Sequence, residues 1–231
     1  MRGDKKMKKK LYIIGAGSVG GHIALNMNEY SKKFEVMGFF DDDPAKIGTE
    51  QFGFKVLGGI NKVLQLKNAA IVIGIAFPRV KRKIIEKISA NSTLLFPSFV
   101  HKRAWISRKV SIGRGCIIYP GTTINYGSVI SDFVVVNANC SLGHHTDIGI
   151  YSSLAPGVKT GGHSVIEEAV DMGIGVSTIQ DIRVGRESVV GGQTMVIRDI
   201  KRKSTVVGVP ARIISQDVPV PQIAPGLRAR V

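Results

Sequence analysis

The sequence predicts two units of different fold class: an α/β unit built on a parallel sheet, followed by a parallel β-helix. Apolar runs alternate with helix-like segments up to about residue 98, and beyond about residue 100 an aliphatic residue returns at almost every sixth position. Glycine accounts for 27 of the 231 residues, well above its usual share of about 7%. Such an excess fits a fold that turns at short intervals.

The first unit alternates short apolar strands with helices. The predicted elements are, in order, a strand at 11–15, a helix after Gly15, a strand at 34–43, a loop with Pro44, Gly48 and Gly53, a weak helix at 61–66, a strand at 69–76, a helix from about Pro78 and a strand at 93–98. Buried strands alternating with helices form parallel sheets with right-handed crossovers. The expected domain, residues 11–99, is a small Rossmann-like unit.

A glycine-rich turn follows the first strand and opens the first helix. Gly15, Gly17 and Gly20 match the GxGxxG pattern in the context that this motif requires. Such glycines let the backbone approach a phosphate at a helix N-terminus. The second strand ends at Asp41 and Asp42, about 20 residues on, where ribose or base recognition is expected. The pattern favours nucleotide binding over a purely structural turn, although no hydride-transfer domain follows.

The second unit has a six-residue period. The series taken at every sixth residue from Ile106 to Val196 has sixteen members, of which fourteen are aliphatic or Met, and the residue two places earlier is always small or β-branched. This period fits neither an amphipathic helix nor simple strand alternation. It predicts a β-helix in which each side is one hexad and points one aliphatic residue inward. Three sides make one coil, and this stretch of the chain holds about five coils.

Two adjacent histidines, His144 and His145, are the candidate catalytic residues of this unit. Gly162 follows His144 by three hexads, so it is the neighbour of His144 on the next coil, about 4.8 Å away. An imidazole beside an uncovered backbone N–H pairs a base with an oxyanion donor, as acyl transfer requires. The alternative is a structural or simply solvated histidine.

The same spacing offers a rival interpretation. His145, His163 and Asp181 follow one another at intervals of three hexads and stack in one column. Two imidazoles and a carboxylate can ligate a divalent metal. Side chains stacked in one column point in parallel instead of converging, so we predict no metal cofactor. Cys116 and Cys140 occupy the small-residue position and are predicted to be packing residues.

Composition excludes several classes of protein. Two cysteines cannot form a disulfide scaffold and favour a reducing cytoplasm. No apolar stretch approaches the roughly 20 residues of a membrane span, and no signal-peptide pattern is present. The formal net charge of +15, of which residues 1–10 carry +5, favours anionic partners. Aromatic residues do not interleave with the basic ones, so no nucleic-acid partner is expected.

Motifs along most of the chain resemble a known family. From about Leu11 to Ile213 they are LYIIGAGSVG, GFFDDDPAKIG, AAIVIGIA before a basic helix, FPSFVHKRAWIS at the junction, hexads with a central His, and VVGVPARII. In this order they resemble the bacterial sugar acetyltransferases that include sialic-acid O-acetyltransferases and UDP-4-amino-sugar N-acetyltransferases. The resemblance implies a left-handed β-helix, acetyl-CoA as co-substrate, a sugar acceptor that is often nucleotide-linked, and a homotrimer with acetyl-CoA between neighbouring helices.

The resemblance also implies roles for individual residues. His144 matches the general base, and Gly162 matches the glycine whose N–H contacts the thioester carbonyl. Two positions depart from the family pattern: His145 replaces a carboxylate that orients the base, and Ser153 replaces a second histidine near the acetyl group. The resemblance still places Ser153 among the residues that bind acetyl-CoA in its groove. The resemblance places four further glycines along the coenzyme A groove: Gly143, Gly173, Gly191 and Gly192.

The sequence therefore predicts a cytoplasmic, trimeric acetyl-CoA-dependent acetyltransferase acting on a nucleotide-linked amino sugar. Alternatives are sialic-acid O-acetylation, a metal-binding β-helix hydratase, and a catalytically silent protein that binds nucleotide sugars. The predicted organisation is a basic tail at 1–10, a nucleotide-sugar-binding domain at 11–99, a β-helix acyltransferase domain at 100–213 and a C-terminal tail at 214–231.

Overall fold

The structure, a computed structural model, describes residues 8–216. Most of the two tails predicted at 1–10 and 214–231 therefore lies outside the described residues. Among residues 8–216, no helix has the length and apolar character needed to cross a bilayer.

A five-stranded sheet with two α-helices forms the first unit. Its elements are β1 (Lys9–Ile14), α1 (Ser18–Tyr30), β2 (Phe34–Phe40), β3 (Glu50–Gln51), β4 (Phe54–Gly58), a 3₁₀ helix (Ile60–Gln65), β5 (Ala70–Ile73) and α2 (Pro78–Ile88). The strand order is β3-β4-β2-β1-β5, and every pair is parallel except β3 with β4. The chain leaves β1 towards β2 on one side and later reaches β5 on the other. This switch opens a crevice at the carboxyl end of β1.

Two predictions for this unit are wrong. The predicted loop after residue 43 contains the β3–β4 hairpin, whose turn residues Phe52 and Gly53 have φ of 52° and 78°. A tight two-residue hairpin turn requires this geometry. The predicted strand at 93–98 is reduced to a single bridge between Leu95 and Ala70. Pro97, which has no N–H to donate to a ladder, ends any pairing there.

The second unit is a three-sided coil of two-residue strands closed by an antiparallel pair. Its strands are β6 (Phe99–Val100), β7 (Trp105–Ile106), β8 (Ser111–Ile112), β9 (Ile117–Ile118), β10 (Thr123–Ile124), β11 (Val129–Ile130), β12 (Val135–Val136), β13 (Ser141–Leu142), β14 (Asp147–Ile148), β15 (Ser153–Leu154), β16 (Lys159–Thr160), β17 (Val165–Ile166), β18 (Asp171–Met172), β19 (Ser177–Thr178), β20 (Arg183–Val184), β21 (Val189–Val190), β22 (Met195–Val196), β23 (Ser204–Val207) and β24 (Arg212–Gln216).

Each coil consists of three hexads, as the six-residue period predicts. Ile124 pairs with Leu142, which pairs in turn with Thr160. The strands of successive coils stack into three parallel sheets, one for each side. Every sixth residue from Ile118 to Val196 is buried, so the predicted inward positions are confirmed.

Small residues at the corners form hydrogen bonds that the sequence analysis did not foresee. The buried hydroxyls of Thr122 and Ser152 donate to main-chain carbonyls 15 residues further on, at 2.8 and 2.7 Å. The thiols of Cys116 and Cys140 make the same contact at 3.0 and 3.2 Å. Burial raises the pKa of both thiols to about 11. They remain protonated at neutral pH, which is consistent with packing residues and not with nucleophiles.

The first unit covers one of the three sides of the β-helix. Ile117 and Val135 point outward from that side, yet they are 0% and 2% exposed, because they pack into the core of the α/β unit. The imidazole of His22 on α1 stacks on Tyr119 with ring centroids 4.2 Å apart. This side is therefore an interface between the two units, and His144 lies away from it at a corner of the coil.

Candidate active site

The glycine turn has the geometry that its motif predicts. Gly15 has φ of 95° and donates its N–H to the Phe40 carbonyl at 2.8 Å. A Cβ on Gly20 would collide with the Gly15 carbonyl oxygen, so the third glycine lets α1 pack closely on β1. A Cβ on Gly17 would meet nothing within 4 Å. The space above the second glycine, at the start of α1, is open.

The two acids predicted beside this turn make different contacts. Asp41 accepts hydrogen bonds from the backbone of Ala16 at 2.8 Å and of Asp43 at 3.0 Å, and from Lys46 Nζ at 3.2 Å. Burial alone would raise the pKa of Asp41, but these contacts outweigh it and lower the pKa. Asp42 instead accepts from the backbone N–H of Ile60 at 2.7 Å. Asp41 thus ties the glycine turn to the following loop, while Asp42 holds the start of the 3₁₀ helix.

His144 lies against Gly162, as the coil spacing predicts. A Cβ built on Gly162 would stand 2.7 Å from both Cε1 and Nε2 of His144, so only glycine leaves room for this imidazole. On the preceding coil the Tyr126 ring stacks on His144, with centroids 5.5 Å apart and planes 14° apart. The sequence analysis missed Tyr126, although counting three hexads back from His144 would have found it.

His145 stands close to His144, at the position where the resemblance implies a carboxylate. The Nδ1 atoms of the two rings are 3.2 Å apart, a distance at which one nitrogen donates and the other accepts. His145 has φ of 52°, so the corner turns these consecutive side chains towards each other. His163 on the next coil stacks on His145, with centroids 4.8 Å apart and planes 5° apart.

The potential metal-ligating cluster differs from the predicted column. Ligand atoms of His144, His145 and His163 lie within 4.8 Å of one another, and Asp181 is not part of this group. The structure therefore joins the predicted base to the two stacked histidines and leaves the carboxylate of the column outside.

The glycines predicted for the coenzyme A groove are explained in large part by backbone packing. A Cβ on Gly143 or Gly173 would stand 2.6 Å from the backbone nitrogen of Gly162 or Gly192 on the next coil. Gly191 packs beneath Val207, and a Cβ on Gly192, which is exposed, would stand 3.3 Å from the carbonyl oxygen of Ile174. Coil packing thus requires the first two glycines, and Gly192 is the most exposed and least crowded of the four.

Ser153, the other predicted groove residue, lies at the interface between the two units. It is 4% exposed, donates its hydroxyl to the Ala76 carbonyl and accepts a hydrogen bond from Lys81 Nζ at 3.0 Å. Lys81 itself is 1% exposed, and desolvation by burial lowers its pKa to about 7. Asp171 pairs with Ser153 one coil away, and burial raises its pKa to about 6.

Lys81 is the buried functional group that the sequence analysis missed. It shares the buried face of α2 with Ile84, Ile85 and Ile88. Its position three residues before Ile84 indicates that Lys81 lies on the buried face of the helix, because residues three and four apart share one helix face. A lysine within a basic helix is ordinarily solvated, so the spacing alone did not single it out.

Known proteins match both units. Residues 10–88 match the PglD N-terminal domain family. A GDP-perosamine N-acetyltransferase of Escherichia coli O157:H7 is 29% identical over 176 residues, which cover 74% of this chain and 78% of that protein. A serine acetyltransferase of Bacillus licheniformis is 31% identical over 127 residues, and the match spans 52% of this chain and only 59% of that enzyme.

Solved structures match nearly the whole chain. PerB from Caulobacter crescentus, solved with CoA and GDP-perosamine, has a TM-score of 0.81 at 24% identity and covers 89% of this chain and 97% of its own. The acetyltransferase domain of PglB from Neisseria gonorrhoeae, solved with acetyl coenzyme A, has a TM-score of 0.73 at 25% identity and covers 90% and 100%. The predicted left-handed β-helix with an α/β N-terminal domain is confirmed, and these matches support the resemblance of the chain to bacterial sugar acetyltransferases.

Proposed function

We propose that this chain transfers the acetyl group of acetyl-CoA to the amino group of a nucleotide-linked sugar, with His144 as general base. The observation that carries the proposal is the contact between the His144 ring and Gly162, which leaves no side chain between an imidazole and a main-chain N–H. Among residues 8–216, the Gly162 N–H donates to no partner. A base beside a free donor suits attack on a thioester carbonyl.

The proposed reaction is a direct transfer. His145 Nδ1 accepts the Nδ1–H of His144, 3.2 Å away, which leaves the lone pair of His144 Nε2 free to accept a proton. As the sugar amine attacks the thioester carbon, Nε2 removes the amine proton and the Gly162 N–H stabilises the oxyanion. The C–S bond then breaks, and the thiolate of coenzyme A takes up the proton. No covalent enzyme intermediate forms.

The α/β unit supports a nucleotide-linked acceptor. The space above Gly17 is open, and the first turn of α1 begins at Ser18 without a side-chain cap on its N–H groups. Free N–H groups at a helix start suit a phosphate. The similar enzyme from Escherichia coli is a GDP-perosamine N-acetyltransferase, which supports an amino sugar as acceptor.

A homotrimer with acetyl-CoA between neighbouring β-helices is part of the proposal. Apolar side chains stand exposed on the β-helix, where a second copy would cover them; Trp105, Ile174 and Ile179 are 56%, 60% and 41% exposed. Tyr126, beside His144, is 47% exposed. We place the enzyme in the cytoplasm, because both cysteines are free and buried thiols suit a reducing compartment.

Turnover of acetyl-CoA with a panel of UDP-, GDP- and CMP-linked amino sugars tests the proposal. We expect one of them to be acetylated, and His144→Ala to lower kcat by about 10²- to 10⁴-fold while acetyl-CoA still binds. Asp181→Asn, a change one coil beyond His163, is the matched control and should retain full activity. Acetylation of free sialic acid alone would favour a sialic-acid O-acetyltransferase. Loss of activity on addition of a chelator would favour the metal-binding hydratase. Binding of a nucleotide sugar without turnover would favour the catalytically silent protein.

A further inference from the structure

The His144–His145 pair has the spacing of a metal chelate. The two Nδ1 atoms are 3.2 Å apart. Two imidazole nitrogens bound to one tetrahedral Zn²⁺ at 2.0–2.1 Å lie about 3.3 Å apart. At this separation both nitrogens could bind one ion, once the rings turn to aim their lone pairs at it.

A third imidazole lies within reach. The ligand atoms of His144, His145 and His163 fall within 4.8 Å of one another. His163 now stacks parallel to His145 and does not aim at the same point, but its side chain is exposed and its ring can turn. The cluster contains no carboxylate, and an all-imidazole set suits Zn²⁺, Cu²⁺ and Ni²⁺ and not Mg²⁺ or Ca²⁺.

We infer that His144, His145 and His163 form a binding site for a divalent transition-metal ion, with Zn²⁺ as the test ion, and that the bound ion switches the enzyme off. A neutral imidazole has one N–H and one lone pair. When Zn²⁺ takes the lone pair of His144 Nδ1, the single N–H proton of that ring, formerly shared with His145, moves to Nε2, and His145 binds the ion through its own Nδ1 lone pair, so no net proton is released. Nε2 then carries a hydrogen and cannot accept the proton of the acceptor amine. The inhibitory consequence rests on the proposed role of His144; the site itself does not.

Calorimetric titration of metal-free protein with ZnCl₂ tests the site without any measurement of activity. We expect one ion per chain, because each neutral imidazole of the cluster supplies one lone pair to the ion. His145→Gln and His163→Gln should each weaken binding about tenfold or more. Asp181→Asn, which alters the column but not the cluster, should leave the affinity unchanged. Absence of Zn²⁺ binding to the wild type, or equal affinity in all variants, would overturn the site.

Turnover measured during the same titration tests the switch. We expect Zn²⁺ to inhibit at the concentrations at which calorimetry shows binding, EDTA to restore the activity, and His163→Gln to need more Zn²⁺ for the same fractional inhibition of its own metal-free rate. Full turnover with the site saturated would overturn the inhibitory role. A metal-free enzyme inactive on every acceptor would count against the proposed function, and the calorimetric result would still decide the metal site.

Discussion

Replacement of Gly162 by alanine tests whether the position of the His144 imidazole beside this residue is the one required for catalysis. The substitution keeps the main-chain N–H and changes only the space beside His144. The new Cβ would stand 2.7 Å from Nε2 and Cε1 of His144, whereas ordinary contact of a Cβ begins at 3.4 Å. The imidazole must therefore move by about 0.7 Å. The clash involves side-chain atoms of an incompletely buried residue, so the coil itself need not move.

The expected effect falls on catalysis more than on stability. A misplacement of about 1 Å at a reacting group can cost about 10²-fold, so we expect Gly162→Ala to lower kcat/KM by about 10- to 100-fold. The free energy of unfolding should change by less than about 1 kcal/mol, since the chain entropy gained from alanine offsets part of the strain. Steady-state kinetics with saturating acetyl-CoA and urea unfolding measure the two quantities.

A second glycine gives the contrast. A Cβ on Gly149 would meet the backbone carbon of Glu167 at 2.5 Å, so Gly149→Ala must move the coil and should lower stability instead. A folded Gly162→Ala enzyme with the wild-type kcat/KM would refute the reasoning, because it would show that the His144 ring beside Gly162 is not the reacting arrangement.

Three further predictions concern other parts of the molecule. Between pH 7 and 9 the free energy of unfolding of the wild type should rise by about 2 kcal/mol relative to that of Lys81→Met. The pKa of Lys81 is about 7 in the folded protein against 10.5 as a free side chain, so in this range the unfolded chain keeps a proton that the folded one loses. If urea unfolding gives the same pH dependence of stability for both proteins, the prediction is contradicted. Ile130→Asp should abolish soluble, folded protein, since Ile130 is 1% exposed, whereas Val129→Asp, at a neighbour that is 43% exposed, should remain folded by circular dichroism. Asp41→Ala should weaken binding of the acceptor nucleotide in thermal-shift titrations. It should also lower the free energy of unfolding by about 1–3 kcal/mol, because the Ala16 N–H loses its acceptor. Unchanged affinity for the acceptor would count against the nucleotide site.

The sequence by itself determined the β-helix, the inward residues and the meeting of His144 with Gly162. A β-helix is close to a one-dimensional repeat, so once each coil is known to hold three hexads, every lateral neighbour follows from counting along the chain. The same counting would have found Tyr126. The glycine turn was equally readable, because its geometry is local and only glycine tolerates φ of 95° at Gly15 without strain.

Only the tertiary structure shows which contacts form between the two units. It places α2 over one side of the β-helix, which buries Lys81 against Ser153 and makes a predicted groove residue part of an interface. It also directs Asp41 to the backbone of Ala16 and turns His145 towards His144. These contacts depend on how non-repeating elements pack and on side-chain direction at a corner, and neither is encoded in a period or a motif spacing.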